Sequence, residues 1–133
     1  MAREFSRSRR VEEQIQRLLS DLIRAGVRDP RVAGVVITSV EVARDLAVAR
    51  VSFSLLGTAA RPPEEALVAA EAGLASAAGF LRSRLARELS TRTVPELRFA
   101  YDEAAQRGRD LEQLIDAAVA RDTAGPRPDA GDE

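Results

Sequence analysis

Apolar residues recur along the chain with two different periods, and the changes of period divide it into elements. Over residues 6–24, Val11, Ile15, Leu18, Leu19, Leu22 and Ile23 fall at three- and four-residue steps, which line one face of a helix, and Ser6 or Ser8 can cap its start. Gly26, Asp29-Pro30 and Gly34 then break the chain into a loop. From Val35 the residues turn β-branched, VVITSVEV. After ARD, the run LAVARVSFSLL alternates Ala47, Ala49, Val51, Phe53 and Leu55 with Val48, Arg50, Ser52 and Ser54. The two runs predict an antiparallel hairpin turning near Arg44-Asp45.

Pro62, Pro63, Glu64 and Glu65 suit the entry to an alanine-rich helix that runs to about residue 78. Its small residues Ala70, Gly73 and Ala77 let it lie close on a sheet. The stripe Leu74, Ala78, Leu81, Leu85 and Leu89 continues past Gly79 into a second, arginine-dense helix. Glycine inside a helix costs about 1 kcal/mol relative to alanine, so Gly79 calls for a reason. One reason is a new helix N-terminus whose unpaired N–H groups, beside Arg82, would hold a phosphate. The other is a bend that serves packing alone. After an irregular link at 90–95, Leu97, Phe99 and Tyr101 alternate with Arg98 and Ala100, a third strand whose large residues face the core. Asp110 with Gln113 reads as a capping box for a last helix with the stripe Leu111, Leu114, Ile115, Ala118 and Val119. Residues 1–120 would form the domain, and 121–133, with little to bury, a disordered acidic tail. The order α-β-β-α-α-β-α, with a three-stranded sheet covered by helices on one face, is an α+β fold.

Composition narrows the chemistry. A chain of 133 residues is one domain of ordinary size. No apolar run approaches the roughly 20 residues that span a bilayer, and MAREFSRSRR lacks the apolar core of a signal peptide, so a cytoplasmic protein without a membrane partner is expected. The absence of cysteine and histidine removes disulfides, thiol nucleophiles, zinc sites and imidazole acid–base chemistry, and no Gly-rich phosphate loop is present. No catalytic residue, metal or cofactor is expected, and an enzyme is the least supported class.

The net charge of −1 is unevenly spread. Arg3, Arg7, Arg9 and Arg10 crowd the first turn of the first helix and the arm before it, where the helix dipole disfavours cations. They read as a phosphate-binding arm or as a solvated end. A second cluster includes Arg82, Arg84 and Arg87, whereas residues 101–116 are acidic. Every basic residue is arginine, which suits bidentate phosphate contacts and is also what a codon bias would produce.

Taken together, REFSRSRRVEEQIQR at the start, RDPRV at 28–32, ARDLAVARVSF at the hairpin turn, AAGFLRSRLARELSTRTVPELRFAYD and the order of elements resemble the bacterial ribosome-binding factor A family over about residues 1–119. RDLAxAxVxF followed by VPELxFxYD is the specific part. The resemblance implies a type II K-homology fold in which the GxxG loop between two helices is replaced by an interrupted helix of Ala-x-Gly form, here Ala77-Ala78-Gly79. It also implies association with the small (30S) ribosomal subunit or its precursor and with 16S rRNA. The activity implied is help in late maturation and 5′-end processing of that RNA without catalysis, with small-subunit ribosomal proteins as candidate partners. The expected RNA-binding surface joins Arg3, Arg7, Arg9 and Arg10 with Arg28 and Arg31 of the loop, Ala77, Ala78 and Gly79 of the interruption, and Arg82, Arg84 and Arg87. A monomer is expected. The alternative is a protein-interaction module that docks on a ribosomal or other protein without touching RNA.

Overall fold

Val11, Ile15, Leu19 and Ile23 stand one turn apart and are all buried, which lays the helix that carries them, α1 (Ala2–Ala25), on the sheet. The computed structural model describes residues 2–57, 59–89 and 93–124. After α1 come a 3-10 turn (Pro30–Val32), β1 (Val35–Val42), β2 (Val48–Leu55), α2 (Glu64–Glu88), β3 (Glu96–Tyr101) and α3 (Glu103–Ala124). The sheet order is β1-β2-β3.

The hairpin forms where the change of period placed it. β1 and β2 pair antiparallel from Val35↔Leu55 to Val42↔Ala49, with a register shift between Ile37 and Ser39. The turn is closed by Leu46 N–H on the Ala43 carbonyl and by the Asp45 carboxylate, which accepts from Ala47 N–H. Ala47 therefore belongs to the turn rather than to the strand. β3 runs parallel to β2, from Val48↔Glu96 to Phe53↔Tyr101, and α2 supplies the crossover that a parallel pair requires. Inward residues of both strands meet the helices: Ala49, Val51 and Phe53 are buried, and Tyr101 meets Phe53 edge to face with centroids 5.9 Å apart.

The free edge of β1 is occupied by side chains of α1. Glu12 accepts from Val42 N–H at 2.9 Å, and the Gln16 amide donates to the carbonyls of Thr38 and Ile37 at 3.3 and 3.4 Å.

The α+β, K-homology-like class is as expected, with one departure inside it. The two helices expected on either side of Gly79 are a single helix, α2, unbroken from Glu64 to Glu88. Leu67, Ala70 and Leu74 before the glycine and Leu81 and Leu85 after it are buried in the same core. Each such leucine contributes about 1.5–3 kcal/mol by burial, which outweighs a glycine cost of about 1 kcal/mol.

Contacts divide the chain into two units, Met1–Thr58 with Pro62–Asp102, and Ala59–Arg61 with Glu103–Glu133. In the second, the start of α3 is fastened by an Arg61–Glu103 ion pair and by the Gln106 amide, which donates to the Ala59 carbonyl at 3.0 Å and to Asp110 at 2.9 Å. The expected capping box at Asp110 is not where the helix begins. α3 starts at Glu103, and Asp110 lies two turns inside it. From Leu111 to Thr123 every side chain is exposed, the apolar stripe of this helix included. The helix extends to Ala124, into the segment expected to be a tail; residues 125–133 lie outside those described.

Candidate nucleic-acid interface

The loop between α1 and β1 is held by a single acid. Asp29 caps the 3-10 turn by accepting from Arg31 N–H at 2.9 Å, and it grips the Arg31 guanidinium in two-pronged fashion, at 3.0 Å to Nε and 2.6 Å to Nη2. The side-chain hydrogen bonds from Arg31, ahead of the backbone one, hold the Asp29 carboxyl below the usual carboxylate range, and Asp29 raises the Arg31 pKa in return. Arg31 also reaches Ser76 Oγ of α2 at 3.4 Å, so the loop is seated on the helix.

Gly73 makes that seating possible. A Cβ placed there would stand 2.8 Å from Val32 Cγ1 and 3.0 Å from Arg31 Cβ. The small residue admits the loop, rather than the sheet as its sequence context suggests. Gly79 faces open space. Because α2 is continuous, the N–H groups near Gly79 lie in helical hydrogen bonds, and the phosphate-binding helix start that the sequence allows does not exist.

Ser76, Phe80, Arg84 and Arg87 follow Gly73 at three- and four-residue steps along one face of α2. Phe80 remains 40% exposed, and the Arg84 guanidinium lies 5.7 Å from its ring centroid. A Cβ added at Gly26, just past the end of α1, would meet this ring at 3.5 Å. Further along, the Gln14 amide of α1 approaches the Glu88 carbonyl at 3.4 Å. The two helices therefore lie side by side in opposite senses. Arg10 and Arg17, which flank Gln14 on its own stripe, are brought beside the arginine end of α2, and both are exposed.

The expected residues thus separate. Arg10, Arg84 and Arg87 fall on this one basic face, with Arg31 at its loop end. Arg28 is exposed beside a hollow of about 620 Å³ lined also by Ile23, Val27, Val36 and Leu56. Arg9 is exposed on α1. Arg3 and Arg7 belong to the α1 backbone, but their side chains lie outside the described residues. Arg82 points to another side of α2 and donates from Nη2 and Nε to the Val94 carbonyl at 2.9 and 3.3 Å, bracing the entry to β3. Ala77 and Ala78 are half-buried. Arg17 and Phe80 were not anticipated. The signals were present, since Arg17 is seven residues after Arg10 and Phe80 four before Arg84. Among the described residues no cluster of acids suited to a metal forms, and no helix is long and apolar enough to cross a membrane.

A three-stranded sheet with an arginine- and phenylalanine-bearing helical face beside it places the chain among the small K-homology-like α+β domains. Within that class the match is specific: the family model for ribosome-binding factor A covers residues 7–115, and the chain belongs to the ribosome-binding factor A family. A ribosome-binding factor A from Thioalkalivibrio sulfidiphilus is 49% identical over 124 residues, 93% of this chain and 92% of the relative. One from Nitrosomonas europaea is 49% identical over 121 residues, 91% of this chain and 99% of the relative. Among solved structures, the crystal structure of ribosome-binding factor A from Thermus thermophilus superposes with a TM-score of 0.60 at 28% identity, covering 71% of this chain and 93% of that one. A Thermus thermophilus homology model fitted into a cryo-EM map of a 30S complex matches at 0.54 and 31% identity, with the same coverage of both chains.

Proposed function

We propose that the chain is a non-catalytic cytoplasmic assembly factor that binds the small ribosomal subunit or its precursor and assists late maturation and 5′-end processing of 16S rRNA. What carries the reading is family membership across residues 7–115, together with a relative fitted into a 30S complex. The face that carries Arg10, Arg17, Arg84 and Arg87, with Phe80 under Arg84, supplies the physical means: guanidinium groups for phosphates and an exposed ring on which a base can stack. Phosphate contacts fix position and affinity but carry little sequence information, so selectivity comes from the folded shape of the RNA and its single-stranded parts.

Co-sedimentation with separated small subunits, large subunits and joined ribosomes tests this. Binding to small subunits alone is expected. With about six phosphate contacts in duplex-like RNA, affinity should fall roughly a thousandfold between about 50 and 200 mM salt. A flat salt response would instead favour docking on a protein without RNA contact.

A further inference from the structure

The exposed half of α3 is the part of the molecule that the basic face does not account for. Leu111, Leu114, Ile115 and Val119 are 58, 69, 52 and 57% exposed, and with Ala118 they form one continuous stripe at helical spacing. Glu112 and Asp116, one turn apart, run beside Ile115 and Val119, and Asp110 borders Leu114 on the other flank. Residues 110–122 hold four carboxylates, Asp110, Glu112, Asp116 and Asp122, against the single Arg121. An acidic rim round an apolar stripe repels phosphates, which argues against RNA as the occupant. Its flanks are acidic where helices that lie on anionic membranes carry Lys/Arg, and its basic residues beside the stripe, Arg107 and Arg121, stand only at the two ends. A second copy would set the carboxylates of one rim against those of the other, like charges that oppose such a pairing.

We infer that this stripe docks, by its apolar side chains, in the groove of a basic protein whose lysines or arginines meet Glu112 and Asp116. On the small-subunit reading above, on which this rests, that partner is a protein component of the particle, so the factor holds RNA with one face and protein with another. The helix-in-groove mode takes anchors at i, i+3, i+4 and i+7, occupied here by Leu111, Leu114, Ile115 and Ala118, and Val119 widens the stripe by one position.

The test uses the full chain against two probes, intact small subunits and the RNA extracted from them. Leu114→Asp is exposed and should leave the melting temperature unchanged. It should bind extracted RNA as the unaltered chain does and bind intact subunits at least tenfold more weakly. Charge reversal at the rim, Glu112→Arg with Asp116→Arg, separates the alternatives by sign. It should weaken binding to subunits if the partner is a basic protein and strengthen it if α3 meets RNA. A photo-crosslinker at position 115 should yield protein adducts. Unaltered subunit binding by both variants, tighter binding after charge reversal, RNA adducts alone, or concentration-dependent dimerisation that Leu114→Asp abolishes would each overturn the inference while leaving the small-subunit reading intact. Failure of the unaltered chain to bind small subunits would remove that reading and this one with it.

Discussion

Helices α1 and α3 carry apolar stripes of the same spacing, and the two have opposite fates. In α1, Ile15 and Leu19 are fully buried; in α3, Leu111 and Leu114 are more than half exposed. Periodicity therefore reveals that a helix has an apolar face but not what covers it. The cover is a tertiary fact, supplied in α1 by the sheet and α2. Charge separates them too. α1 and α2 bring Arg10, Arg17, Arg84 and Arg87 together, whereas the stripe of α3 is rimmed by acids.

The largest expected contrast is between those two stripes. Leu19→Ala should destabilise the fold by about 2–5 kcal/mol, and Leu114→Ala by no more than about 0.5 kcal/mol, in chemical denaturation. Equal losses would mean that α3 is covered in solution. The same contrast recurs between glycines. Gly73→Ala drives a methyl group into Val32 and should cost about 1–3 kcal/mol, while Gly79→Ala, in open space on a continuous helix, should stabilise by up to about 1 kcal/mol. Loss of subunit affinity in a stabilised Gly79→Ala protein would show that the helix must yield there to work. Among arginines, Arg84→Ala should weaken RNA binding severalfold and reduce the salt slope by about one, with little change in melting temperature. Arg82→Ala should do the reverse, costing about 0.5–1.5 kcal/mol through its bonds to Val94, as thermal melts would report.

The smallest effect is on pH dependence. Asp29 and Glu103 both have carboxyls lowered by hydrogen bonds from an arginine, Arg31 and Arg61 respectively. Their folded pKa values lie below the unfolded ones, so the stability they add is complete above about pH 4 and fades as pH drops through the folded values. Glu103 is exposed and Asp29 only half-buried, so the loss is slight. Asp29→Asn should flatten the acid limb of a melting-temperature profile, leaving the Glu103 contribution in place.

Much of this architecture was legible because its signals are local. The alternation around Val51 and Phe53 declared the hairpin, and Leu97, Phe99 and Tyr101 the third strand. Gly79 misled because intrinsic propensity weighs about 1 kcal/mol, while leucines buried on both sides of it weigh several times that. Gly73 drew no special notice as a loop seat, since the residues it admits, Arg31 and Val32, lie some forty positions away in the chain. The start of α3 was misplaced for a similar reason: its first turn is fastened by Ala59 and Arg61, some forty positions back in the chain. At the candidate interface, the arginine clusters could be read from spacing. That Arg82 would turn to a backbone carbonyl, and that Arg17 would join the others, depended on where neighbouring elements packed.

The way Glu12 and Gln16 reach across to β1 has a consequence for life at high protein concentration. An uncovered strand edge is a template on which another chain can add, and repeated addition leads toward aggregates. Here the edge is guarded by side chains of a helix made early in the chain, so protection depends on α1 being docked. A nascent or partly melted protein whose first helix has lifted would offer a strand rich in valine and isoleucine to its neighbours. The residues that keep this protein from sticking to itself therefore include two polar ones buried in neither the core nor the arginine face.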